Sequence, residues 1–323
     1  MTSSASRASI AFTAATTFLL GGCGGGGGNG DSNTPSLDRN AAIKSANAKD
    51  VAANAYSVVD FLNRQITSSV TDVTDSASAD LSDKRCKDHT PGGATREVDP
   101  TTNTVVINYN NCDDGVWIKN GKITIQVSGD PNGDRFQNQA WSGTLAITFG
   151  INFKLNSEWS ALILMESTSS ETGDLTVTYS QTAPNVGTYK ASNSTLQWSL
   201  TTGSSTVVRN ISMLDYIGST EASNLNKIQT ASFNLSGNLG RLGPVEYDVK
   251  TNTGFIREVS SEGFKNPSQG AMTIVAKDKS SLTLTAADAT SVGLDLDWNG
   301  DNAIDEKIST TWNDLNSKLL FQF

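Results

Sequence analysis

The sequence predicts a mainly β protein: an antiparallel meander of about a dozen strands, in a curved sheet or a sandwich, with one long N-terminal helix packed on it. Three observations carry the prediction. From Thr104 onward, apolar residues alternate with polar ones in short runs, the period of a half-buried strand. Gly, Asn and Asp cluster between the runs, as tight turns require. Ahead of them, one stretch repeats its apolar residues three or four positions apart, the period of a helix with one buried face.

That stretch runs from Asp38 to Val70. Asp38 or Asn40 can cap its start, and Ile43, Ala46, Val51, Ala55, Val58, Val59, Leu62, Ile66 and Val70 form the stripe. The spacing predicts a helix over 38–70 with its stripe in the core. Residues 71–100 are polar and hold Pro91-Gly92-Gly93 and Asp99-Pro100, so they read as a connection. Val105, Ile107 and Tyr109 open the strands. Asn120-Gly121 between Trp117-Ile118-Lys119 and Lys122–Val127 predicts a hairpin turn. Leu145 to Leu155 alternates over eleven residues, with Gly150 as a bend. Similar runs follow at Leu175–Tyr179, Leu196–Leu200, Val207–Met213, Phe233–Leu235, Val245–Val249, Met272–Ala276, Leu282–Leu284 and Val292–Trp298. No linker divides them, so residues 38–323 read as one domain.

Composition sets the partners apart. The chain has 323 residues, 18% charged, with a net charge of −9. An acidic surface repels phosphate backbones, which argues against nucleic acid, and against adhesion to anionic lipid by charge. It suits divalent cations. A single histidine, His89, excludes metal sites built on several histidines, and no Gly-x-Ser-x-Gly elbow accompanies it. Glu158, Glu166 and Glu171 lie near Trp159, the residue types of a glycosidase, although a polar strand face is the better explanation of them.

The first residues give an address. Arg7 is the only charge among residues 1–22, and Ile10–Leu20 is apolar over 11 residues, roughly 16 Å as a helix and too short for a bilayer. This reads as a secretory signal. It ends in Leu20-Gly21-Gly22-Cys23, which resembles the lipobox of bacterial lipoproteins. The resemblance implies cleavage after residue 22, acylation of Cys23 and a membrane partner through that lipid anchor. Gly24 in place of Asp implies the outer membrane of the cell envelope, by the sorting rule of enteric bacteria. Residues 23–37 are rich in Gly, Asn and Ser and read as a flexible tether with an end-to-end distance of roughly 20 Å. The other two cysteines, Cys86 and Cys112, are expected to form a disulfide in an oxidising compartment.

One acidic stretch, Asp295-Leu-Asp-Trp-Asn-Gly-Asp-Asn-Ala-Ile-Asp-Glu306, resembles the EF-hand calcium loop at each position of D-x-[DN]-x-[DN]-G-x5-E. The resemblance implies Ca²⁺ held by Asp295, Asp297, Asn299, the Asp301 carbonyl and Glu306, with Gly300 at the sharp turn. The alternation of Val292, Leu294 and Leu296 is that of a strand rather than of an entering helix. That context favours an inter-strand loop in which Asp297, Asn299, Asp301 and Asp305 ligate instead. The segment after it, 307–320, suits either a strand or a helix. The terminal Leu319-x-Phe321-x-Phe323 resembles the closing strand of an outer-membrane barrel, but the 7% aromatic content leaves no interfacial girdles.

These readings combine into a lipid-anchored envelope protein with a structural or binding role, stabilised by calcium, whose protein, glycan or lipid ligand is open. A carrier holding an apolar ligand in the curved sheet is the alternative. A glycan-active enzyme ranks third.

Overall fold

The computed structural model describes residues 42–320, except 75–76, 87–91, 130–139, 164–165, 184–185, 222–224 and 261–262. The expected signal segment, Cys23, the tether, His89 and Phe321–Phe323 lie outside the described residues.

A 26-residue helix, α1 (Ala48–Val73), comes first. The strands follow as β1 (Ala79–Asp80), β2 (Gly93–Asp99), β3 (Thr104–Asp113), β4 (Trp117–Ser128), β5 (Trp141–Leu155), β6 (Ser167–Ala183), β7 (Val186–Thr202) and β8 (Ser205–Thr220). Next are β9 (Leu225–Asn238), β10 (Pro244–Ser260), β11 (Gly263–Phe264), β12 (Gln269–Ala276), β13 (Ser281–Ala286), β14 (Ser291–Asp297) and β15 (Glu306–Thr311). Short helices α2 (Ser82–Arg85) and α3 (Ser157–Ile163) interrupt them, and α4 (Trp312–Leu320) follows. All strands join one 15-stranded sheet, and each is hydrogen-bonded to its sequence neighbours, except that β10 pairs with both β11 and β12. The described pairings are antiparallel. The meander is therefore a single layer, not a sandwich.

Such a layer has one apolar face to cover. At roughly 4.8 Å per strand it would span about 70 Å if flat, whereas α1 is about 39 Å long. Yet α1 touches β4, β9 and β12 to β14, so the sheet curves around it. The α1 side chains Val51, Val59, Leu62 and Ile66 are wholly buried, in one core with Ile107, Ile125, Leu145, Val177, Tyr216 and Leu294. At one end Trp312 of α4 is wholly buried. It packs on Tyr56, ring centroids 4.6 Å apart and planes tilted by 49°, and donates its Nε1–H to the carbonyls of Pro267 and Asp288, both at 3.1 Å.

A polar circuit runs through this core. Arg257 (β10), 1% exposed, pairs with Asp60 of α1 and donates from Nε to Asn226 Oδ1 at 3.1 Å. Asn226 Nδ2 donates to Tyr189 Oη at 2.8 Å. Tyr189 and Tyr216 both donate to Asn63 Oδ1 of α1, at 2.7 and 3.1 Å. The circuit leaves and returns to one helix three residues apart, so it fixes the helix in rotation and in register. Its satisfaction is incomplete: Asn63 Nδ2 and Arg257 Nη2 are buried without a hydrogen-bond partner among the described residues.

Three expectations need correction. Residues 42–47 are not helical and the helix begins at Ala48, while the expected caps Asp38 and Asn40 lie outside the described residues. Asn47 instead closes a turn before it, accepting from Lys44 N–H at 2.8 Å and donating to the Ala42 carbonyl at 2.9 Å. Asn120-Gly121 is not a hairpin turn but the middle of β4. Gly121 has φ +113°, and a Cβ there would fall 2.1 Å from the Gly150 carbonyl oxygen on β5. The glycine thus serves close approach and a register shift against β3. The connection 71–100 holds β1, α2 and β2, where Arg96 and Ala94 are buried despite the polar run. The ambiguous tail is both structures in turn, β15 and then α4.

Removing one member of a buried ion pair strands the other, at a cost of about 3–5 kcal/mol. Asp60→Asn is therefore expected to lower the unfolding free energy by about 3 kcal/mol, measured by urea denaturation. Asp60→Leu combined with Arg257→Met should cost less than the sum of the two single changes.

Candidate functional site

Two places concentrate side chains that a ligand could use. The first is a groove between one flank of α1 and the inner face of β3 to β8. Ser57, Val58, Phe61, Arg64, Gln65 and Ser68 supply the helix side. One end has a volume of about 330 Å³ and is floored by Trp198, Leu200, Arg209 and Ile211. The other, of about 280 Å³, is bounded by Arg85, Tyr109, Lys119, Ile151, Phe153 and Glu171. A neck of about 10 Å³ lies between them, lined by Phe61, Trp198 and Ile211 of the first and by Glu171 of the second.

Period-two alternation places these groups. Glu171 follows Ser167 and Ser169 and precedes Leu175 and Val177 on the same face of β6, so its carboxyl faces inward. Gln65 Nε2 donates to it at 3.3 Å. Burial pushes the Glu171 carboxyl up to about 7, a shift that Lys119 only partly opposes. Glu158 lies on α3 and Glu166 ahead of β6, and neither lines the groove. The three carboxyls grouped in the sequence are thus not gathered as a glycosidase pair. At the other end, Arg209 donates from Nε and Nη2 to Asn54 Oδ1 at 3.0 and 2.7 Å and stacks 4.4 Å from the Trp198 ring centroid. Burial lowers its pKa to about 10. The sequence gives no sign of Asn54 or Arg209 as a pair, because they are 155 positions apart.

The second place is the hairpin loop between β14 and β15. Gly300 has φ +74°, as the sharp turn demands. Asp297 Oδ1 accepts the N–H of Gly300 (2.7 Å) and of Asp301 (3.3 Å), and Oδ2 that of Asn302 (2.8 Å). Asn299 Oδ1 accepts from Asp301 N–H at 2.9 Å, and Asp301 Oδ1 from Ala303 N–H at 2.8 Å. Asp305 Oδ2 accepts from Trp298 N–H at 2.9 Å. The outer pair stands apart from these four. Asp295 pairs in register with Lys307, Nζ to Oδ1 3.8 Å, and Glu306 accepts from Ser45 Oγ. Among the described residues no three His, Cys, Asp or Glu side chains gather as metal ligands. The donor chemistry of the inner four is that of a calcium loop, but here their oxygens hold the loop's own amides.

Cys86 and Cys112 form the expected disulfide, with their Cα atoms 5.2 Å apart. It ties the segment after α2 to the end of β3. No helix among the described residues is long and apolar enough to cross a membrane. The chain matches no described protein family, and no curated protein or solved structure is significantly similar to it.

The raised Glu171 pKa has a stability consequence of definite sign. Between about 4.5 and 7 the folded chain keeps a proton that the unfolded chain has released, so stability falls as pH rises through that window. The loss is at most about 3 kcal/mol. In Glu171→Gln, urea denaturation midpoints at pH 5 and pH 8 should differ by less than in the unaltered chain.

Proposed function

We propose that the chain is a lipid-anchored protein of the bacterial cell envelope, with its lipid on Cys23 and with a structural or binding role rather than a catalytic one. The single observation that most supports this is the partition of its three cysteines. Cys86 and Cys112 are joined to each other, a bond that persists in oxidising compartments. Cys23 is left for another use, directly after Leu20-Gly21-Gly22. The glycines that follow would hold an acidic domain off an outer-membrane surface.

The carrier reading has one observation for it and one against. The groove beside α1 is open and largely apolar at one end. The centre of the curved sheet, however, is filled by Val59, Leu62 and Ile66, so any apolar ligand would lie beside the helix and not beneath it. The enzymatic reading is weakened by the scatter of Glu158, Glu166 and Glu171.

We also propose that the β14–β15 loop takes up Ca²⁺ through Asp297, Asn299, Asp301 and Asp305. Asp295 and Glu306 would remain outside the coordination sphere. Asp297 Oδ2, Asp301 Oδ1 and Asp305 Oδ2 each accept one backbone N–H, which leaves each a lone pair for a cation, and the ion would draw these side chains inward.

Cys23→Ser is expected to move the protein from the membrane fraction to the soluble fraction, followed by immunoblot, and to abolish incorporation of labelled palmitate. An unchanged membrane fraction would remove the anchor. For the ion, loops of extracellular modules have dissociation constants of roughly 0.1–1 mM. Calcium at 10 mM should then stabilise the chain over EGTA by about 1.4–2.7 kcal/mol, a rise of several degrees in Tm. Asp297→Asn should abolish that rise, and equal midpoints for the unaltered chain would leave the loop as a self-capped turn.

A further inference from the structure

We propose that the groove flanking α1 binds a single-chain anionic amphiphile. Its apolar tail would lie among Val58, Phe61, Trp198, Leu200 and Ile211, and its head group beside Arg64, Arg85 and Lys119. This names the ligand class for the binding role proposed above and does not depend on the anchor.

Shape comes first. On the helix side Ser57, Phe61, Arg64 and Ser68 follow one another at helical spacing, a run of roughly 16 Å. Across from them the lining passes from β8 to β3 in strand order: Arg209 and Ile211, then Trp198 and Leu200, Glu171, Ile151 and Phe153, Lys119, and Tyr109. The two ends thus belong to one elongated groove. Its neck is too small for a methylene as it stands and admits a chain when the Phe61 and Trp198 rings part, and ends of about 330 and 280 Å³ suit one chain rather than two.

Surface chemistry comes next. Among the described residues ten aromatic side chains, including Tyr56, Phe149, Tyr189, Tyr216, Phe233 and Trp312, are buried. Of the six half-buried aromatic side chains among the described residues, Phe61, Tyr109, Phe153 and Trp198 line the groove, and Trp117 and Phe264 do not. Aromatic and aliphatic surface left facing water in a concavity favours an apolar occupant, at about 25 cal/mol for each Å² covered. A glycan is the poorer fit, because the large end offers few hydrogen-bonding groups beyond Ser57 and Arg209, and Arg209 is held by Asn54 and Trp198.

Charge then orients the ligand. Three cations and one carboxylate line the far end. The carboxylates that pair with the cations, Asp60, Asp72 and Asp114, are not among the lining residues. A guanidinium in one ion pair keeps further N–H groups to donate, so an anionic head can share these cations without displacing their partners. The Glu171 carboxyl stands between head and tail, where its protonated form is the one compatible with a neighbouring anion. Arg64, Arg85 and Lys119 are the other titratable groups lining that end, from α1, α2 and β4, together with Tyr109 of β3, with Asp60, Asp72 and Asp114 paired behind them.

The test uses the full chain carrying Cys23→Ser, so that no acyl group of its own competes. The probe is dansylated undecanoic acid, read by fluorescence and displaced by dodecanoate or by dodecanol. Saturable probe binding is expected, with dodecanoate about tenfold tighter than dodecanol, a difference near 1.4 kcal/mol. Arg64→Gln with Lys119→Gln should remove that preference while dodecanol binds as before. Ser57→Trp, which fills the large end, should abolish binding of both, with Tm showing that the fold is kept. Absence of saturable binding in the unaltered groove would overturn the proposal. So would equal affinity for dodecanol and dodecanoate, or unchanged binding in a folded Ser57→Trp chain.

Discussion

Water cannot be left against the inner side chains of a single-layer sheet, and α1 is the element that displaces it. The sheet has no second sheet to pack on, so its apolar face must be satisfied by one helix and by its own curvature. That requirement makes α1 buried around much of its circumference, including Asn54 and Asn63, which have no exposure at all. Polar groups in such a place must be hydrogen-bonded. The Asp60–Arg257–Asn226–Tyr189–Asn63 circuit is the consequence, and it converts a greasy contact, tolerant of sliding, into one with a fixed register. The groove exists because a cylinder resting in a curved surface leaves a gap along its flank wherever side chains do not fill it.

The same geometry bears on how a ligand could reach the protein. The helix is tied down at both ends of its length. Near its start, Lys49 pairs with Asp314 of α4 at 2.6 Å. Near its end, Asp72 pairs with Arg85, whose neighbour Cys86 is bridged to Cys112 in β3. A helix held in this way is a filled plug, and the proposed ligand would enter from the open ends of the groove, passing the neck by side-chain movement at Phe61 and Trp198. A swinging lid would need the Lys49, Asp60 and Asp72 ion pairs to break together.

Much of the architecture could be read from the chain because alternation survives wherever one face of a strand is buried. Leu145 to Leu155 and Val292 to Leu296 behave as their pattern says. Helix existence was legible from the stripe, but its start was not, since Asn47 caps its own preceding turn and Ile43 is buried outside any helix. β2 was hidden because Arg96 takes an inward position that pattern reading assigns to an apolar residue. Gly121 was misread because the dipeptide that makes a hairpin also permits close strand approach, and local sequence does not separate the two. In the loop, the separation of the inner four side chains, which accept the loop's own amides, from the outer pair follows the strand pattern of its flanks. The groove was not: its residues are ordinary strand and helix positions, and what distinguishes them is how far apart α1 and the sheet lie. The core circuit leaves one faint trace, polar Asn54, Asp60 and Asn63 in a helix whose other stripe residues are apolar.

Native-state hydrogen exchange measures most directly whether α1 is the fixed centre of the fold. If it is, the amides of Leu62 and Ile66 exchange only through global unfolding, with the same free energy and urea dependence as those of Leu235 in β9 and Val249 in β10. Exchange of the α1 amides at markedly lower free energy, while the β9 and β10 amides remain fully protected, would contradict this. The helix would then open as a unit from a sheet that stands without it.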